Sequence, residues 1–211
     1  MEIIISLISF LCLIIAITIH EFSHALAADK LGDPTPQSMG RLSLNPLAHA
    51  DPIGTILLPL MGLFTGISTI GWAKPVVIDP FNFRHPKRDE IIVSLAGPLS
   101  NLSLALIISL IIRFLSPQSD LLNYSLYILV LINISLFVFN LLPIPPLDGS
   151  KIFLNLLSPE SSTKWSEAFD RYGFILLMIA VFLPVFGNKT LISAVMSPIV
   201  SFMLRLFLPI S

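Results

Sequence analysis

The hydrophobic pattern of the chain is a series of continuous apolar runs, at about 3–27, 90–115, 122–142, 171–187 and 190–208. Runs of roughly 20 apolar residues match the length that an α-helix needs to cross a hydrocarbon core about 30 Å thick. They predict an all-α polytopic membrane protein with about five full transmembrane helices. The last two are short and joined at Gly187-Asn188-Lys189 into a helical hairpin. Another apolar segment, about 53–72, is interrupted by Pro59, Gly62, Gly66 and Gly71, the composition of either a sixth span or a broken, re-entrant element. The β-branched Val76-Val77-Ile78 beyond it predict a short β element near 74–79. The polar stretch at about 158–170 reads as a connecting loop.

Composition reinforces the membrane reading. Hydrophobic residues make up 55% and charged residues 12% of the 211 positions, against roughly 25% charged in a soluble domain. Mean hydropathy is +0.88. A net charge of −1 leaves no basic surplus to neutralise phosphates, so a nucleic-acid partner is not expected; the partners are the lipid bilayer and other membrane proteins. Cys12 is the single cysteine, which excludes an intrachain disulfide and a cysteine-built metal cage. Ala25-Leu26-Ala27 has the form of a signal-peptide cleavage site, but Glu2 stands where a basic n-region belongs and the apolar run is too long, so the first run is read as a retained span.

Basic residues decide between the two readings of 53–72. They gather at Lys30 and Arg41, at Lys74, Arg84, Lys87 and Arg88, and at Lys151, Lys164 and Arg171. The positive-inside rule places all three groups in the cytoplasm only if 53–72 is re-entrant. That gives five spans with the N-terminus outside and the C-terminus inside. The run Arg84-His85-Pro86-Lys87-Arg88 is a topology determinant first and a contact for anionic headgroups second.

Against this apolar background, His20, Glu21 and His24 at the inner end of the first span stand out. Ionisable groups within a span cost roughly 2.5–3.5 kcal/mol each on insertion scales and ordinarily serve a function. Four residues apart on a helix, the two imidazoles share a face and can reach one metal ion, with Glu21 beside a metal-bound water: the HExxH arrangement of zinc peptidases. A catalytic zinc takes three protein ligands and keeps one position open, so a third ligand must come from elsewhere. Asp148 is the best candidate. It follows Pro143, Pro145 and Pro146 at the end of the third full span, and broken backbone at membrane depth is tolerated where it lines a protein-walled cavity. In the five-span topology Asp148 lies at the depth of His20 and His24.

Taken together, HEFSH at 20–24, GPLSN at 97–101 and NLLPIPPLDG at 140–149 resemble the site-2 protease family of intramembrane zinc metalloproteases, peptidase family M50. RLSLNPLAHADPIGT at 41–55 and GWAKP at 71–75 look like its compact prokaryotic branch, without a PDZ insertion or a nucleotide-sensing domain. The resemblance covers about residues 16–150. It implies one zinc ion held by His20, His24 and Asp148, Glu21 as general base, and Asn140 helping to stabilise the oxyanion. It also implies that Gly97-Pro98 and Asn101 shape helix packing beside the site, Asn101 chiefly through an interhelical hydrogen bond. His49 and Asp51 are expected as loop-capping residues before any contact with the site.

Two domains are expected: a metalloprotease core at 1–150, and a connector with a C-terminal transmembrane hairpin at 151–211. The implied function is hydrolysis of peptide bonds within or near transmembrane segments, in regulated intramembrane proteolysis or clearance of signal-peptide remnants. The substrate is then a transmembrane protein or peptide, in a prokaryotic inner membrane with the active site towards the cytoplasm. The rival is a catalytically silent relative that binds membrane partners, which should lack a ligand or the base. A metal transporter should spread polar groups through the membrane depth, and here they gather at one end.

Overall fold

The computed structural model describes residues 2–57, 61, 73–115, 119–186 and 189–208. Helix α1 spans Glu2–Leu31, α2 Pro86–Leu115, α3 Asp120–Asn140, α4 Asp148–Leu156, α5 Pro159–Phe182 and α6 Leu191–Phe207. Helices α1, α2 and α3 are long and apolar enough to cross a membrane, and α6 is a shorter apolar helix. The protein is thus an all-α membrane protein. Most of the expected re-entrant segment, 58–60 and 62–72, lies outside the described residues; its start, Pro52–Leu57, forms a π-helical turn.

Each long helix divides its faces by side-chain size. On α1, Ile3, Leu7, Leu11 and Ile15 recur every fourth residue on an exposed stripe suited to lipid, while Cys12, Ala16, His20, His24 and Ala28 recur on a buried one. Small residues on the buried stripe let α2 approach closely, and its own buried stripe runs through Ser94, Gly97, Asn101, Ala105 and Ile108. Helix α2 packs against α1, α3 and α4 and is the central element. Val130, Ile134 and Val138 of α3 complete an apolar core with Ala105 and Ile108, closed by Met196, Val200 and Leu204 of α6.

Asn101 joins the three long helices. Its Nδ2 donates to Ala16 O on α1 (3.1 Å) and to Asn133 Oδ1 on α3 (2.8 Å). Buried amides of this kind act as interhelical fasteners where lipid offers no hydrogen bonds.

Two expectations need correction. The segment 73–79 is extended but is no strand of a sheet: its amides go elsewhere, Lys74 N to His49 O (3.0 Å) and Val76 N to Glu21 Oε2 (3.0 Å). The described strands, Pro184–Phe186 and Lys189–Thr190, instead form a small antiparallel hairpin between α5 and α6. Nor is 158–170 a loop. Helix α5 begins at Pro159, a residue preorganised for a first helical position, and its polar opening turns continue without a break into the apolar half.

The connection from α1 to α2 is built on Asp33. Gly32, at φ +106°, closes α1 in a backbone conformation that other residues seldom adopt, and turns Asp33 inward. The fully buried Asp33 carboxylate accepts from Thr35 N (3.0 Å), Asp79 N (2.8 Å) and Asn82 Nδ2 (2.9 Å). Burial alone would raise its pKa, but these donors outweigh burial and hold it below the ordinary 3.8. Further along, Asp51 Oδ1 caps the turn at Ile53 N and Gly54 N, and the buried His49 ring donates from Nε2 to Ser43 O. Both are local loop fasteners.

Candidate metal centre

His20 and His24 project from one face of α1 towards α2. His20 Nδ1 lies 2.6 Å from Asn101 Oδ1, and His24 Nδ1 lies 2.7 Å from Val93 O. Both partners are acceptors. The orientation of the Asn101 amide follows from its Nδ2, which faces two oxygens. Each Nδ1 therefore carries the proton, and each Nε2 presents a lone pair.

Asp148 reaches the same point from the chain's other half. After α3 ends at Asn140, the backbone turns through a proline-rich segment with a cis Pro145-Pro146 bond and starts α4 at Asp148. Gly149 makes the turn possible, because a Cβ there would collide with the carbonyl oxygens of Leu141 and Leu142. Asp148 Oδ2 lies 3.2 Å from each Nε2, and the two Nε2 atoms lie 3.0 Å apart.

Three buried lone-pair atoms thus converge, and Asp148 Oδ2 has no hydrogen-bond donor among the described residues. Such a cluster is costly unless a cation sits among its members. Zinc–ligand bonds of about 2.0–2.1 Å place tetrahedral ligands about 3.3 Å apart, close to the spacing seen. The donor set, two imidazoles and a carboxylate, also suits a catalytic zinc with an open position. The residues fit such an ion.

Gly97 is pressed against this cluster. A methyl group on its Cα would overlap Nε2 of both histidines, so only glycine admits the pair at this level of α2. A cleft of about 90 Å³ opens beside the cluster, bounded by Glu21 and by Pro75, Val76 and Ile78 of the extended segment. Ser94, Asn140 and Lys151 line it as well. Asn140 donates from Nδ2 to Leu136 O (3.0 Å), which leaves its second N–H and its carbonyl oxygen uncommitted to that bond. His49 and Asp51 are not among the lining residues.

Sequence patterning singles out His20, Glu21, His24 and Asp148 as candidates, and the structure brings these four to one cleft. It did not find the two groups that orient the imidazoles. Val93 acts through its backbone carbonyl, which leaves no mark on the sequence. The sequence presents Asn101 as a fastener between helices, and the structure adds a second duty, that of holding His20.

Similarity to known proteins agrees with this chemistry. The sequence model of peptidase family M50 matches residues 116–183, the stretch that carries Asn140 and Asp148. The protein named "Putative zinc metalloprotease YwhC" of Bacillus subtilis is 39% identical over 181 residues, covering 82% of this chain and 79% of its own. The Rip2 protein of Mycolicibacterium smegmatis, named in the same way, is 32% identical over 176 residues, covering 83% of this chain and 66% of its own. The "Zinc metalloprotease MJ0392" of Methanocaldococcus jannaschii is 25% identical over 150 residues, 71% of this chain and 34% of its own. No solved structure matches the chain significantly. Identity at this level over most of both chains, in a membrane protein that gathers two histidines and an aspartate at one point, leads to one conclusion: the chain belongs to peptidase family M50, the site-2 proteases.

Proposed function

We propose that the protein is an intramembrane zinc metalloprotease that hydrolyses peptide bonds within or near transmembrane segments of other proteins. The observation that carries this reading is the meeting of His20 Nε2, His24 Nε2 and Asp148 Oδ2 in a cleft that also contains Glu21. His20, His24 and Asp148 would hold the zinc. The ion supplies Lewis acidity, activating water and polarising the scissile carbonyl.

The chain's own residues do the rest. Glu21 accepts the proton of the attacking water as its oxygen bonds to the carbonyl carbon, then delivers that proton to the amine as the C–N bond breaks. Asn140 turns its free N–H towards the developing oxyanion. A substrate helix hides its amides in internal hydrogen bonds and must unwind to be cut. The extended residues 73–79, with Val77 half-exposed beside the cleft, offer a backbone edge to the unwound segment.

In the proposed topology α5 and α6 also enter the bilayer, giving five spans. The N-terminus then lies outside, and the cleft opens towards the cytoplasm of a prokaryotic cell. The core at 1–150 carries the chemistry, and 151–211 buttresses it: Gly173 of α5 packs against Pro145, so the last part of the chain supports the turn that delivers Asp148.

The test is zinc per chain in detergent-purified protein, wild type against Asp148→Ala. About one zinc per wild-type chain, sharply reduced in the variant, is expected. Zinc absent from folded wild type would favour a silent scaffold, and zinc unchanged in the variant would mean that another residue is the third ligand.

A further inference from the structure

Ser94 is buried at 2% exposure, lines the cleft, and its Oγ has no hydrogen-bond partner among the described residues. The other buried serines among the described residues are satisfied locally: Ser109 donates to Leu106 O (2.8 Å) and Ser150 to Leu147 O (2.6 Å). A buried hydroxyl left unpaired costs about 1–3 kcal/mol, and alanine would fill the same space in the helix contact without that cost. The hydroxyl at Ser94 therefore calls for a partner beyond the described residues.

The backbone at this turn is also unusual. Pro98 stands four residues on and has no N–H to give to the Ser94 carbonyl, so the helix has one bond fewer where it meets the cleft. Ser94 lies three residues before Gly97, the residue that abuts both histidines, which places it about 4.5 Å along α2 from the metal cluster on the same face. An extended peptide advances about 3.3 Å per residue. The hydroxyl is therefore level with a substrate residue one or two places from the scissile bond.

We propose that Ser94 is a substrate-binding residue whose hydroxyl donates to a backbone carbonyl of the unwound segment, beside the bond to be cut. This rests on the protease reading above. A peptide carbonyl pressed against the wall of the cleft loses its water there and needs a donor in exchange, and Ser94 supplies one.

The experiment compares two ligands of the zinc-loaded, detergent-purified protein. Acetohydroxamic acid binds the metal alone, and a leucyl-leucyl hydroxamate adds one peptide carbonyl along the cleft. The dipeptide ligand should bind wild type more tightly. Ser94→Ala should weaken it about 3- to 10-fold, the worth of one neutral hydrogen bond, and leave acetohydroxamate affinity and zinc per chain unchanged. Ser94→Thr should restore most of the loss. In wild type, replacing the amide of the dipeptide ligand by an alkene should cost a similar factor, a check that needs no variant. Equal weakening of both ligands, or of neither, would overturn the inference. If wild type binds no acetohydroxamate, the metal reading itself fails, and the inference with it.

Discussion

Gly97 of α2 and His24 of α1 are in such close contact that a single methyl group on the glycine would overlap the histidine's Nε2. The candidate ligand atom is thus placed partly by what its neighbour lacks. Gly97→Ala should displace both imidazoles and reduce zinc per chain well below half, while the α-helical circular dichroism of the purified protein stays near that of wild type. Alanine with full zinc content would show that the helices can separate at no cost to the site.

Asn101 orients His20 through a 2.6 Å contact at Nδ1. Groups that orient a ligand imidazole typically contribute 10- to 100-fold in metal affinity. Asn101→Leu should therefore weaken zinc binding by about that factor in a titration against a competing chelator. It should also lower the melting temperature, because Ala16 O and Asn133 Oδ1 lose their donor.

Glu21 borders the cleft but is not among the three converging ligands. Glu21→Gln should keep about one zinc per chain and lose roughly 10²- to 10⁴-fold in hydrolysis, the contribution typical of a general base. The assay is cleavage of an apolar membrane peptide with a Gly-Pro pair at its centre. Cleavage at the wild-type rate would remove Glu21 from its role.

Asp33 should contribute to the response to acid. Its folded-state pKa lies below the ordinary 3.8, so it contributes stability that is fully present above that value and is lost as pH falls through the folded-state value. Thermal unfolding in detergent should show the melting temperature of wild type declining as pH is lowered through this window. Asp33→Asn should melt lower than wild type at pH 7 and show a flatter acid limb. An identical acid limb in the variant would assign the response to other carboxylates.

The parts of the site that were legible in the sequence are those set by local spacing. His20 and His24 share a helix face because they are four apart, and Asp148 stood out as a carboxylate behind a run of prolines at the end of an apolar segment. What escaped depends on contacts between distant segments. Asp33 finds donors at Asp79 and Asn82, more than forty residues away, and nothing near it in the chain announces them. Val76-Val77-Ile78 have strand-forming side chains, but a strand needs a partner, and the Val76 amide is taken by Glu21. The opening of α5 was hidden by polar composition, since Ser161, Ser162 and Thr163 read as loop while Pro159 marks a first helical turn. Ser94 looked like any small residue in a packed helix, and only its unpaired hydroxyl sets it apart.

Asn101 touches α1, α3 and the His20 ring at once. A rotation of α1 about its own axis would draw the imidazole away from its acceptor and strain the fastener in the same motion. Helix tilt and rotation in a bilayer are set by packing against neighbouring helices. The hold on His20 and the seam between the three long helices therefore stand or fall together, because one side chain serves both.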